Sequence, residues 1–248
     1  MSPALFEQEY LIHSYEVDCK KRALITSLMN FLNDVAMRQS EQLGVGIDYL
    51  KGKKAAWVLY KWDIRIHNYP MFNEKITVKT APHSFRKFYA YRKFEMLNKN
   101  KEKLVSANSV WLLVDTQKKR PIKITKDMYK AYQISKDFDE PLEIGEIGQL
   151  TSFDMQKNFN VRYSDIDTNS HVNNVKYAAW SLETVPLDII QNYTMTNLKI
   201  AYLKETTYGK TIKALTQVLS KGEKVICLHK IVDEDNQELC LLESVWGK

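Results

Sequence analysis

Two stretches of this chain alternate apolar and polar residues, and each follows a stretch whose apolar residues fall at helical spacing. In the first half, Leu28, Phe31, Leu32 and Val35 recur three and four residues apart, which predicts an amphipathic helix. Thr26 or Ser27 is the expected cap and Gly44 the expected stop. Next, Val58, Tyr60, Trp62, Ile64 and Ile66 alternate with Lys61, Asp63 and Arg65, the pattern of a half-buried strand. Ile76 and Val78 alternate with Lys75, Thr77 and Lys79 in a second strand. Further strands are expected over 85–97 and 104–114, separated by the polar turn Asn98-Lys99-Asn100-Lys101. The order is one helix followed by an antiparallel meander.

The second half repeats that order. Val175, Ala179 and Leu182 share a helical face that Pro186 stops, and strands are expected over 197–204, 210–219, 225–232 and 239–246. Between the halves, Asp137-Phe138-Asp139-Glu140-Pro141-Leu142-Glu143-Ile144-Gly145-Glu146 is acidic and holds Pro and Gly, as linkers do. Its apolar Phe138, Leu142 and Ile144 predict that it packs along a surface. We therefore expect an α+β chain with an N-terminal domain over 1–133, a linker over 134–150 and a C-terminal domain over 151–248.

At 248 residues and 44% hydrophobic content, the chain can bury a substantial core. It has no run of 18 apolar residues and no charged-then-apolar leader, so we expect a soluble cytoplasmic protein without membrane insertion. Cys19, Cys227 and Cys240 are few and widely spaced, as reduced thiols would be, and fit no zinc pattern. The net charge of +6 serves solubility and would also suit an acidic partner. Its basic clusters, Lys51 with Lys53-Lys54 and Lys118-Lys119-Arg120, are too short to argue for nucleic acid.

One polar run carries chemistry. Between Arg162 and Asn174, the order Asp167, Asn169, His171 sets a carboxylate, a carboxamide and an imidazole at alternate positions before the second helix. On an extended backbone the three would point to one side. A helix starting near Asn173 would add unpaired backbone N–H groups at Val172, Asn173 and Asn174 as donors to an oxyanion. That is the layout of a hydrolytic site. Asp165, Asp167 and Asn169 also match the first three ligand positions of a calcium loop. That loop needs Gly at its sixth position and Glu at its twelfth, where this chain has Ser170 and Lys176. We expect no metal and no cofactor.

The segment from Asp165 to Tyr177, with Trp180, Leu182-Glu183 and Pro186, resembles the catalytic segment of acyl-acyl-carrier-protein thioesterases of plant plastids and bacteria. The resemblance continues at Leu198-Lys199-Ile200-Ala201-Tyr202-Leu203-Lys204-Glu205-Thr206, and at Trp57-Val58-Leu59 and Tyr69-Pro70. It implies two tandem hot-dog domains, each a long helix wrapped by a curved antiparallel sheet, with the sheets paired edge to edge. It further implies hydrolysis of a fatty acyl thioester carried on the phosphopantetheine of an acidic acyl carrier protein. The first half would supply the acyl pocket, with Met29, Trp57 and Trp62 as candidate lining, and the second the reactive groups. The same fold acting on acyl-coenzyme A, or a non-catalytic acyl- or carrier-binding module, are the alternatives. A homodimer is left open.

By the resemblance, Glu205 is the partner acid. It would activate or position water, His171 would assist as acid–base group, Asn169 would hold the carbonyl or the water, and Asp167 would orient His171. The family often has Cys after this glutamate. Here Thr206 stands there, a poor replacement for a thiolate nucleophile. In the first half, Val17-Asp18-Cys19-Lys20-Lys21-Arg22-Ala23 is expected to be a shorter counterpart of the motif loop, with Tyr69 roughly opposite Glu205 in the alignment.

Overall fold

The computed structural model describes residues 3–248. The chain folds as two compact units. One runs up to Tyr60 and resumes over His67–Ile144, and the other combines Lys61–Ile66 with Gly145–Lys248.

In the first unit, β1 (Phe6–Leu11) leads to α1 (Ile25–Gln42) and the short α2 (Ile47–Gly52). Then follow β2 (Ala55–Ile66), β3 (Lys75–Arg86), β4 (Tyr89–Leu97) and β5 (Lys103–Asp115), the two-residue β6 (Arg120–Pro121) and α3 (Lys126–Ala131). The strand order is β1-β3-β4-β5-β2, with antiparallel pairing from β1 through to β5. Leu28, Leu32, Val35 and Gln39 of α1 are buried, a stripe at helical period turned to the sheet. Gly44 follows at φ +70, a left-handed stop that suits glycine. The start differs from expectation: Leu24 is the cap residue, and no side chain caps the helix. The strand expected over 85–97 is also broken, since the chain reverses between Arg86 and Tyr89 with Lys87 at φ 60.

In the second unit, β7 (Met155–Asn160) is followed by α4 (Asn174–Leu182), α5 (Leu187–Asn192), β8 (Thr194–Tyr202), β9 (Thr211–Lys221), β10 (Lys224–Val232) and β11 (Glu238–Gly247). The order is β8-β11-β10-β9-β7, with antiparallel neighbours throughout. Lys61–Arg65 of β2 joins this unit as an antiparallel partner of Asn197–Ala201 in β8. Asp63, expected on the polar face, is buried there and accepts a hydrogen bond from Asn197 Nδ2 at 2.7 Å. A buried carboxylate needs such a donor. Helix α4 packs across β9, β10 and β11.

The stretch expected to link two domains divides between the units at Ile144 and Gly145. Ile134 lies in a core cluster with Phe85, Met128 and Tyr132, and the Gly148 N–H donates to the Glu243 carboxylate at 3.0 Å. Among the described residues, no helix is long and apolar enough to cross a membrane.

Candidate active site

The motif loop lies wholly in the second unit. It does not run as an extended strand tail. Tyr163–Asp165 forms one turn of 3-10 helix, Ile166 and Val172 make an antiparallel bridge, and the five residues between them close a tight turn. The Asp167 N–H donates to the His171 carbonyl at 2.8 Å, the Ser170 N–H returns to the Asp167 carbonyl at 3.1 Å, and Ser170 takes φ 64. Alternation across a strand therefore does not place Asp167, Asn169 and His171 on one side. The Asp167 carboxylate is the reason. Its Oδ1 accepts the backbone N–H of Asn169 at 2.8 Å and of His171 at 3.4 Å, and such side-chain capture of nearby amides competes with extended backbone. Asp167 thus acts on His171 through the backbone of the turn.

His171 faces Glu205. Its Nε2 lies 3.2 Å from Glu205 Oε2, with the two side chains 34% and 46% exposed. Glu205 sits three residues past the end of β8 on an extended segment, held where the Leu203 and Lys204 N–H groups both donate to the Leu239 carbonyl. The next residue ties this segment to the loop, because the Val172 N–H donates to the Thr206 carbonyl at 3.0 Å. Thr206 is buried where Glu205 is exposed.

Two of the three amides expected to form an oxyanion hole, those of Val172 and Asn173, are occupied. Val172 donates to Thr206, and the Asn173 N–H donates to the Asp165 carbonyl at 2.8 Å. Asn173 itself caps α4, its Oδ1 accepting the Val175 N–H at 3.0 Å. The Asn174 carbonyl accepts from the Tyr202 hydroxyl at 3.1 Å. The loop and the helix start are stitched into the fold, so Val172 and Asn173 cannot also serve a ligand. Asn169, by contrast, presents its carboxamide on the exposed rim of the turn.

Beneath the loop lies a carboxylate that reading the motif left outside the reactive set. Asp165 is fully buried, and it is gripped by the Arg162 N–H at 2.9 Å, Arg162 Nε at 3.2 Å and Nη2 at 3.0 Å, and Lys176 Nζ at 3.3 Å. Burial alone would raise its pKa, but the hydrogen bonds from Arg162 and Lys176 overrule it and hold the carboxyl below its ordinary range. Tyr177, one turn into α4, is buried against Tyr202 and Trp180, each ring centroid 5.7 Å away. Its burial raises its hydroxyl pKa.

The first unit contains the same loop. A 3-10 turn at Ser14–Glu16 precedes the Val17–Ala23 bridge, the Asp18 N–H donates to the Arg22 carbonyl, and Lys21 takes φ 62. Asp18 Oδ1 accepts from the Lys20 and Arg22 amides as Asp167 does from Asn169 and His171. The Ala23 N–H donates to the Pro70 carbonyl, matching Val172 and Thr206. The two loops are therefore equal in length, contrary to expectation, and match residue for residue. Arg22 stands for His171, Tyr69 for Glu205 and Lys20 for Asn169. Of the expected acyl-pocket residues, Met29 and Trp62 are fully buried, while Trp57 packs partly buried against the first unit's core, 6.3 Å from Phe85. Among the described residues, no cluster of three His, Cys, Asp or Glu side chains could hold a metal ion.

The sequence matches two family models, the acyl-ACP thioesterase N-terminal domain over residues 3–132 and the acyl-ACP thioesterase C-terminal domain over 148–248. This chain belongs to the acyl-ACP thioesterase family. A palmitoyl-acyl carrier protein thioesterase from Arabidopsis thaliana chloroplasts is 25% identical over 98% of this chain. The chain spans 64% of that relative's length. A Lactobacillus plantarum protein assigned as an oleoyl thioesterase is 25% identical with a TM-score of 0.90, over 99% of this chain and 97% of its own. An acyl-ACP thioesterase from Bacteroides thetaiotaomicron shares the fold with a TM-score of 0.86 at 22% identity, over 98% of this chain and 97% of its own. The tandem hot-dog architecture is that of this family, and the motif loop from Arg162 to Asn174 lies in the part matched by its C-terminal model.

Proposed function

We propose that this protein hydrolyses the thioester of a fatty acyl group on acyl carrier protein, releasing free fatty acid. The observation that carries the reading is the His171 Nε2–Glu205 Oε2 pair at 3.2 Å, open to solvent on a turn stitched to the rest of the fold. Water is the nucleophile. Glu205 takes its proton as the oxygen attacks the thioester carbon. The Asn169 carboxamide, the unoccupied donor on the rim, supports the carbonyl oxygen as it gains charge. When the C–S bond breaks, the proton taken up by Glu205 passes through His171 to the departing pantetheine thiolate, which returns both side chains to their starting state. Fatty acid and free carrier thiol leave. No cofactor enters this balance.

An acidic carrier suits the surroundings of the pair. Arg162, Lys204 and Lys210 are exposed on the segments flanking the loop, beside the exposed aromatics Tyr163 and Tyr208. Opposite charge on a carrier would speed encounter. The free thiols Cys19, Cys227 and Cys240 suit a reducing compartment, so we place the reaction in the cytoplasm.

The test is steady-state hydrolysis of a panel of acyl-carrier thioesters, with released acids identified by mass spectrometry. His171→Ala and Glu205→Ala should each lower kcat by roughly 100-fold or more. Full activity in either variant rejects the mechanism. A marked preference for acyl-coenzyme A rejects the carrier as substrate.

A further inference from the structure

We propose that Lys176 and Arg162, acting through the buried carboxylate of Asp165, are positioning residues that hold His171 against Glu205. This inference rests on the reading above. Three strands of chain meet at Asp165. Its side chain takes the Arg162 backbone and guanidinium at the entry to the loop, and Lys176 from the first turn of α4. Its carbonyl accepts the Asn173 N–H at the exit from the loop. The turn from Asp167 to His171 is thus pinned at both ends by one residue. Since Val172 in turn holds the Thr206 carbonyl, the same pin fixes the segment that carries Glu205.

The unreactive loop of the first unit supplies the comparison. Glu16 stands at the Asp165 position and bonds the His13 N–H at 2.8 Å and His13 Nδ1 at 3.1 Å, so the entry side of the clamp is kept. The exit side has no cation. The residue matching Lys176 is Ser27, and Glu16 retains 17% side-chain exposure where Asp165 has none. The shape of such a loop does not need the lysine, because the first unit keeps the backbone bonds, the Asp18 turn and the Glu16 entry contacts without it. What the second unit adds is a charged tie between helix and loop, in the one copy where an imidazole must meet a carboxylate. Misplacing reacting groups by an ångström is costly to rate even when every group is present.

The experiment uses the full chain with Lys176→Met, which keeps length and removes charge from a partly exposed side chain, Lys176→Arg, and Asp165→Asn. Rates are expressed per folded molecule, with thermal unfolding measured alongside. Lys176→Met should lower kcat about 10-fold with KM within about twofold, and Lys176→Arg should restore it. Amide hydrogen exchange at Asn173 and Val172 should quicken in Lys176→Met and Asp165→Asn without global unfolding. Unchanged kcat per folded molecule together with unchanged exchange at these amides overturns the proposal. Should the wild-type protein fail to hydrolyse any thioester, the functional reading falls alone, since the exchange measurement still decides whether the clamp holds the loop.

Discussion

The Arg22 guanidinium lies over the Tyr69 ring, 5.2 Å from its centroid, where the second unit has His171 facing Glu205. Arg22 Nε and Nη2 also bind Asp18 Oδ2 at 3.0 and 2.9 Å. The same backbone loop has therefore been put to two uses: a cation–π contact that closes one copy and a titratable pair that opens the other. Burial raises the Tyr69 hydroxyl pKa, so the position matching Glu205 offers no base near neutrality. Arg22→Ala should cost about 2 kcal/mol of stability and leave kcat within about twofold. Calorimetry beside an activity assay checks both halves, and a collapse of kcat at intact stability would show the first loop to be part of the chemistry.

Asp167 separates two roles that one motif position can have. If it serves by accepting the Asn169 and His171 amides, an asparagine oxygen can replace it. Asp167→Asn should then keep kcat within about threefold, while Asp167→Ala loses the turn and roughly 10-fold or more in rate. Direct orientation of the imidazole by charge would make the two variants equally poor. Single-turnover rates on one acyl-carrier substrate tell these outcomes apart.

Thr206 gives a third test. Its carbonyl anchors Val172, and it is buried where Glu205 is exposed, so the proposed water mechanism assigns its hydroxyl no part. Thr206→Val keeps shape and removes the hydroxyl, and it should leave kcat within about threefold. Loss of all turnover, with folding intact, would make the hydroxyl a nucleophile.

Much of this was legible in the sequence, and the misses have physical causes. The period-two run located β3 because one face of it is buried. In β2 the alternation holds only from Trp62 to Ile66, with Val58 exposed, Leu59 buried and Asp63 buried from the other face. The hairpin inside 85–97 was hidden, because Arg86, Lys87 and Phe88 contain no Gly, Pro or Asn, and the turn is made with a lysine at positive φ. Reading the motif as an extended tail failed because it counted side chains and ignored what Asp167 does to nearby amides. The backbone donors at Val172 and Asn173 looked free for the same reason: the acceptors that occupy them, at Thr206 and Asp165, become neighbours only in the fold. Asp165 could have been found earlier. Aligning the two loops residue by residue exposes Lys176 as the cation that the first copy lacks.

The buried polar network of the second unit makes the last prediction. His229 on β10 bonds Thr216 Oγ1 through Nδ1 at 2.7 Å and Ser244 Oγ through Nε2 at 3.0 Å, and desolvation pushes its pKa down to about 3. Above the ordinary histidine pKa of about 6.5, folded and unfolded chains are both neutral here and the residue imposes no pH dependence. As pH falls below that value the unfolded chain takes a proton that the folded one refuses, so stability declines until the folded value near 3 is reached. Across that window this residue contributes a slope of about 1.4 kcal/mol per pH unit. Phe94 fills the corresponding place in the first unit, opposite Thr80 as His229 is opposite Thr216. His229→Phe leaves Thr216 bonded to Thr184 and Ser244 bonded to Trp246 Nε1. Denaturant unfolding at pH 7.0, 6.0 and 5.0 should therefore show a shallower loss of stability in His229→Phe than in wild type. Parallel curves would mean that His229 takes up its proton as readily in the folded protein as in the unfolded chain, and would sink the desolvation argument.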